Sequence, residues 1–146
     1  MCYYEPHMKV SVVIPCYNEE KWIERTVDAA IRQDYPDFEI ILVNNASTDG
    51  TGRILSKLSE ADTRIRVVNE PTQGVLMARE AGRVAAKGDV IACLDADCIP
   101  PANWISRAVP FFRNPGTVAV AGTYDYYDAP YWQRYGLLAV QLVFMA

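Results

Sequence analysis

Val90-Ile-Ala-Cys-Leu-Asp95-Ala-Asp97-Cys-Ile-Pro-Pro101 is the stretch on which the reading of this chain turns. Val90 to Leu94 is a short apolar run without helical spacing, bounded by Gly88-Asp89 before it and two prolines after it. Such a run predicts a strand buried on both faces, as in a parallel sheet. It ends in two carboxylates one residue apart, and if the strand's alternation carries on, Asp95 and Asp97 project to one side. The carboxyl end of a central strand is where open α/β sheets bind ligands. Like charges repel when held side by side in a partly dry crevice. A divalent metal carrying a substrate's phosphates relieves that repulsion. The alternative is that both are loop residues capping a helix that begins near Pro101, and D-x-D alone does not decide between the two.

The flanking sequence supplies the sheet. Met8 to Cys16 (MKVSVVIPC) reads as a first strand, and Asn18 as the N-cap of a following helix with Glu19 and Glu20 in its first turn. Ile23, Val27, Ala30 and Ile31 recur on one helical face to about Gln33, where Tyr35-Pro36-Asp37 breaks the pattern. Phe38 to Val43 is a second strand, and Ser47, Thr48 and Asp49 are cap candidates for a helix buried through Ile54, Leu55 and Leu58. Ile65 to Val68 is a third strand. Gly74 opens a helix with Met77, Ala81, Val84 and Ala85 on one face, closed by Lys87-Gly88 as a C-cap. Four strands alternating with three helices specify parallel βαβ units with right-handed crossovers.

Beyond Pro101 the sequence predicts a helix to Phe112 with Trp104, Ile105 and Ala108 inward, bent or ended by Pro110. Thr117 to Thr123 reads as a fifth strand and Tyr124 to Tyr131 as a loop. Trp132 to Ala146 reads as an apolar helix, whose Gly136–Ala146 run is too short to span a bilayer. A helix ending on its own apolar face predicts that the fold is incomplete at the C-terminus and that residues 1–146 are part of a larger domain. A missing C-terminal segment or self-association would cover Leu137, Leu138, Leu142, Val143 and Phe144.

Composition narrows the function. With 146 residues and 51% apolar content the chain supports one domain with a real core. A net charge of −4 without a basic run argues against nucleic acid as a partner. Cys2, Cys16, Cys93 and Cys98 lie on or beside strands and not in a disulfide framework, and His7 stands alone, so a zinc site is not indicated. Met1 to His7 has no signal-peptide pattern, which makes the cytoplasm the expected location, with a peripheral position on the inner membrane face left open.

Both glycine-rich phosphate motifs, G-x-G-x-x-G and G-x-x-x-x-G-K-[ST], are absent; the first strand-to-helix turn is Pro15-Cys16-Tyr17-Asn18-Glu19-Glu20. With no close backbone approach to an anion there, a metal held by Asp95 and Asp97 is the remaining way to neutralise phosphate charge. At this point the chain resembles a family 2 glycosyltransferase of the GT-A fold. The resemblance rests on VSVVIPCYNEE (Val10–Glu20), IILVNNASTDGT (Ile40–Thr51), QGVLMAREAG (Gln73–Gly82) and AAKGDVIACLDAD (Ala85–Asp97), in the family's order. It covers roughly Val10 to Asn103 and implies an α/β, Rossmann-like, mostly parallel sheet flanked by helices.

Matched position by position, the resemblance implies that Pro15, Tyr17 and Glu19 line a nucleotide pocket, with Tyr17 beside the base. Stacking and core packing are equally ordinary uses of such a tyrosine. Asn44-Asn45 stand where the family often has aspartates that read uracil. Asn45 keeps a carbonyl acceptor for a ring N–H but no charge, and helix capping is its plainer use. Arg79 matches an arginine near the donor diphosphate, where a guanidinium makes charge-assisted bonds; a solvated helix-face charge is the alternative. Asp95 would contact ribose or the metal's outer shell, and Asp97 would ligate Mn²⁺ or Mg²⁺.

The implied reaction is inverting transfer of a sugar from a nucleotide-diphosphate donor, UDP-sugar favoured, to a hydroxyl on a glycan, lipid or other acceptor. Single displacement needs a general base. The resemblance places that base well downstream of D-x-D, so it is expected beyond Ala146; Asp125 and Asp128 lie too near the fifth strand to match. A nucleotide-sugar binding fragment or pseudo-enzyme without transfer activity is the second reading. A sugar-nucleotide pyrophosphorylase, which would want a glycine- and basic-rich first loop, is the third.

Overall fold

The computed structural model describes residues 8–122 and the backbone of Phe144–Met145. Its centre is built from two β-branched, apolar runs, β1 (Val10–Cys16) and β2 (Phe38–Asn44), paired in parallel with Val10 opposite Phe38 and Cys16 opposite Asn44. β3 (Ile65–Asn69) lies parallel outside β2, and β4 (Val90–Cys93) lies parallel on the far side of β1. Two short strands, β5 (Ala119–Val120) and β6 (Phe144–Met145), finish that side in antiparallel, giving the order β3-β2-β1-β4-β6-β5. The sheet is therefore mostly parallel and flanked by helices, as expected.

The connecting helices are α1 (Ile23–Ala30), α2 (Thr51–Ala61), α3 (Val75–Ala85) and α4 (Trp104–Ala108), the last running on into a 3₁₀ turn over Val109–Arg113. Ile23, Val27 and Ala30 of α1, Leu55 of α2 and Ile105 of α4 pack on one face of the sheet, against Val12, Ile14, Ile40, Leu42 and Ala92. α3 covers the other face alone among the described residues, through Ala78 against Val13, Ile41 and Val43. That packing is close. A Cβ on Gly82 would stand 2.2 Å from Val13 Cγ1, so the helix can approach β1 only with glycine there.

Several expectations are corrected. Asn18 does not cap its own helix: α1 begins at Ile23, five residues after Asn18, and stops at Ala30 instead of about Gln33. The fully buried side of α3 is Ala78 and Gly82, with Ala81 and Ala85 packed half-buried beside them as expected, whereas Met77 and Val84 point outward, Val84 at 69% exposure. Gly88 is not a left-handed cap, since α3 closes on an extended Ala86. Its Cβ would meet Lys9 O and Ser11 N at 2.7 Å, so the reason for glycine is close approach. β4 buries Val90 and Ala92 fully but Ile91 and Cys93 only partly. The fifth strand is cut to Ala119–Val120, and Phe144–Met145 is strand where helix was expected. Tyr124–Tyr131, Asp125, Asp128 and the Trp132–Val143 segment lie outside the described residues. No described helix is long and apolar enough to cross a membrane, and no disulfide joins Cys16, Cys93 and Cys98.

Candidate functional site

The chain leaves β1 toward β2 on one side and returns to β4 on the other, so the carboxyl ends of β1 and β4 bracket the switch point of the sheet. Crevices at such points are the ligand sites of open α/β sheets. Here the crevice is a cleft of about 450 Å³. Of the seven residues singled out from the sequence, six line it: Pro15, Tyr17, Glu19, Asn45, Asp95 and Asp97. The seventh, Arg79, reaches its edge, with Nη2 donating to Asp95 Oδ1 at 3.0 Å.

Each wall has a local cause. Pro15 falls just past Val13, the last β1 residue registered with β4, so its missing N–H breaks no ladder bond with β4. The chain then turns at Asn18, whose left-handed backbone (φ 57°) asparagine tolerates better than most residues. Asn18 Oδ1 accepts from the N–H groups of Thr48 (2.8 Å) and Asp49 (3.4 Å). Glu20 Oε2 accepts from Gly50 N–H at 2.7 Å, and Glu19 N–H donates to Thr51 Oγ1 at 2.8 Å. The acidic turn after β1 therefore caps α2, not α1, and a carboxylate beside the first N–H groups of α2 suits the helix dipole. Asp49 Oδ1 accepts from Thr51 N–H, which makes Asp49 a cap as its position indicated.

The opposite wall is the Asp95–Cys98 turn, closed by Cys98 N–H donating to Asp95 O at 3.1 Å. Burial keeps alternating past the end of β4: Ala92, Leu94 and Ala96 are buried while Asp95 is half-exposed and Asp97 exposed. Both carboxylates thus face the cleft. Thr26 of α1, buried among apolar neighbours, donates from Oγ1 to Ala96 O at 2.7 Å and fixes the turn from beneath. Sequence reading missed Thr26; a hydroxyl on the apolar face between Ile23 and Val27 was the available signal. It also missed Gln73, Gly74, Val75 and Ala78, which form the third wall at the start of α3.

Asn45 is 3% exposed; its backbone N–H donates to Cys16 O at 2.9 Å, and its three side-chain bonds all go to the segment between β3 and α3 that leads into that third wall. Its Nδ2 donates to Glu70 O (3.2 Å) and Thr72 O (2.7 Å), and its Oδ1 accepts from Gly74 N–H (2.8 Å). It caps no helix.

The cleft is strongly acidic. Burial pushes the Glu19 carboxyl up, and the charges of Asp97, Asp49 and Asp95 push it further in the same direction. Burial and then Glu19 raise the Cys16 thiol well out of reach of ionisation, and burial raises Cys93. Asp49 is the exception: desolvation acts upward but hydrogen bonds from Thr51 and Glu20 hold it below the usual range. Among the described residues, Arg79 is the cation ion-paired in the cleft, and it meets Asp95 alone of these acids. A set of hard carboxylate oxygens converging on one cleft in excess of positive charge suits Mg²⁺ or Mn²⁺ and not a soft-ligand metal. Among the described residues no three carboxylate, imidazole or thiol groups stand together as a complete metal shell, so these cleft carboxylates suit an ion that takes its remaining ligands from a substrate's phosphates and water.

Comparison with known proteins agrees with this geometry. The family described as Glycosyl transferase family 2 matches residues 11–142. Glycosyltransferase AglE of Haloferax volcanii is 34% identical over 120 residues, covering 80% of this chain and 40% of AglE. Among solved structures, the mannosyltransferase PcManGT from Pyrobaculum calidifontis, in complex with GDP-Man and Mn²⁺, superposes with a TM-score of 0.81 at 25% identity, over 95% of this chain and 44% of that one. S. aureus TarS 1-349 in complex with UDP-GlcNAc gives a TM-score of 0.72 at 25% identity, over 84% of this chain and 36% of that one. The chain thus spans about two-fifths of the length of these relatives.

Proposed function

The chain belongs to glycosyl transferase family 2, and from that premise we propose that it forms the donor-binding part of a metal-dependent, inverting glycosyltransferase. The observation that supports this most is the convergence of Tyr17, Glu19, Asp95 and Asp97 on one cleft at the switch point, with Arg79 at its edge. Tyr17, half-exposed at the end of β1, offers a flat face to a base. Asp97 would ligate the ion, and Asp95, which holds the guanidinium of Arg79, would contact the donor's ribose or support the ion indirectly. When bound, Mn²⁺ or Mg²⁺ offsets the charge that builds on the leaving diphosphate. Arg79 would turn from Asp95 to phosphate oxygens as they enter.

Uridine is the base implied by the resemblance, and UDP-sugars are the donors to try first. The acceptor is a hydroxyl compound, a glycan or lipid among the candidates. The general base for inversion is proposed to lie outside residues 8–122, so donor binding, not transfer, is the activity assigned to this part of the protein. Its location is proposed to be the cytoplasm, where unpaired thiols such as Cys16 and Cys93 persist.

The test is a Mn²⁺ titration in the presence of UDP, followed by the electron paramagnetic resonance of the free ion. Asp97→Ala is expected to weaken Mn²⁺ binding by more than roughly a hundredfold and Asp95→Asn by about tenfold, the scale of an outer-shell contact. Unchanged Mn²⁺ affinity in Asp97→Ala would sink the assignment.

A further inference from the structure

Asn45 lines the cleft, yet its side-chain hydrogen bonds are spent on the segment between β3 and α3. The partners fix its orientation: two carbonyls can meet only Nδ2, and the Gly74 N–H can meet only Oδ1. Both donor hydrogens are used, and one Oδ1 lone pair is left. The three partners span Glu70 to Gly74, the whole connection from β3 to α3. That connection is hard to hold otherwise. Gly74 has φ +148°, a conformation only glycine adopts readily, and no side chain caps α3. Val75 and Leu76, the first residues of the helix, are exposed, Leu76 at 74%, so packing does little to anchor its first turn.

We propose that Asn45 is a positioning residue that clamps the β3–α3 connection as the third wall of the donor site, and that it does not read the donor base. The proposal rests on the donor-site reading above. Asparagine is required by the bonding pattern. An aspartate of the same shape could still accept from Gly74 but would set a carboxylate against the oxygens of Glu70 and Thr72. Losing both donor bonds and adding that repulsion frees Gln73 and Val75 to move, which changes the cleft for every nucleotide alike.

The experiment compares the wild-type chain with Asn45→Asp and Asn45→Ala. Two readouts are taken: amide hydrogen exchange without nucleotide, and calorimetry with UDP and with GDP in Mn²⁺. The Ala78 amide, which donates to Gly74 O at 3.0 Å, reports on the connection, while Val12 and Ile41 report on the sheet. In both variants Ala78 protection should fall by about tenfold, the scale of one to two lost hydrogen bonds, with the sheet amides unchanged. UDP and GDP affinities should drop by the same factor, leaving their ratio as in wild type. In Asn45→Asp alone, protection should recover between about pH 8 and about pH 5, because a protonated carboxyl donates to one carbonyl again and burial raises its pKa. The isosteric Asn45→Asp carries the test if Asn45→Ala does not fold. Unchanged Ala78 protection would overturn the clamp, and a shift of the UDP:GDP ratio beyond about tenfold, some 1.4 kcal/mol, would make Asn45 a base reader after all. If wild type binds neither nucleotide, the donor reading fails, and the exchange result and its pH profile still decide the clamp.

Discussion

Ala46 holds a left-handed backbone (φ 55°) in the loop after β2, where an alanine Cβ costs about 1–2 kcal/mol. Glycine relieves that cost but adds freedom to the unfolded chain. Ala46→Gly should therefore raise stability by roughly 0.5–1 kcal/mol, read as a higher urea midpoint at unchanged slope. A lower midpoint would show that the loop is held by something the dihedral does not reveal. Residue types at this scale were legible in the sequence, and partners were not. Asp49 was read as a cap and is one, because its partner Thr51 is two residues away. Asn18 was read as the cap of its own helix, but its partners lie 30 and 31 positions on, at Thr48 and Asp49. Asn45 was read as a base contact or a helix cap, and the groups it bonds are 25 to 29 residues distant. Local pattern carries no information about which loops the sheet will bring side by side.

The strands were legible because their apolar runs are unbroken, and β1 and β2 are buried on both faces as such runs require. The face of helix α3 was half legible: Ala81 and Ala85 pack on the sheet as expected, but the larger Met77 and Val84 do not. Small residues do, since they let the helix lie close to β1. Gly82→Ala should destabilise by about 1–3 kcal/mol through forced repacking of Val13 and Val43, measured by denaturant unfolding. A neutral result would mean that α3 can lift off the sheet without loss. Thr26 ties α1 to the carboxylate turn. Thr26→Val keeps the shape but leaves Ala96 O unpaired, and should cost about 1–3 kcal/mol while weakening Mn²⁺ affinity beyond that of a surface control. Loss of stability with metal affinity intact would reduce Thr26 to a packing residue.

For the molecule as a whole, the strand order puts two charge systems at opposite ends of the sheet. At the amino ends of the strands Glu39 is buried and accepts from Ser11 Oγ (2.8 Å), Lys87 N–H (2.8 Å) and Arg66 Nη2 (3.1 Å). Burial acts to raise its carboxyl, but these bonds and the charges of Arg66 and Lys9 outweigh it and hold it below the ordinary range. A carboxyl more acidic folded than unfolded stabilises above its unfolded pKa, and that stabilisation fades as pH falls through the folded value. Urea midpoints should thus decline from about pH 6 to about pH 3, and Glu39→Gln should flatten part of that decline; an unaltered slope would exclude Glu39 as its source. At the carboxyl ends the sign reverses, for burial and neighbouring acids hold Glu19 up, and its ionisation opposes folding. That asymmetry was only half legible: Asp95 and Asp97 stand in one short stretch and the resemblance set Glu19 in the same pocket, but Asp49, read only as a cap, comes near Glu19 through folding alone. The central claim is that this acidic cleft binds a nucleoside diphosphate through a divalent ion. Calorimetry of UDP with Mn²⁺, repeated in excess chelator, decides this: measurable binding with the ion and none in chelator is expected, and equal affinity in both would rule the ion out.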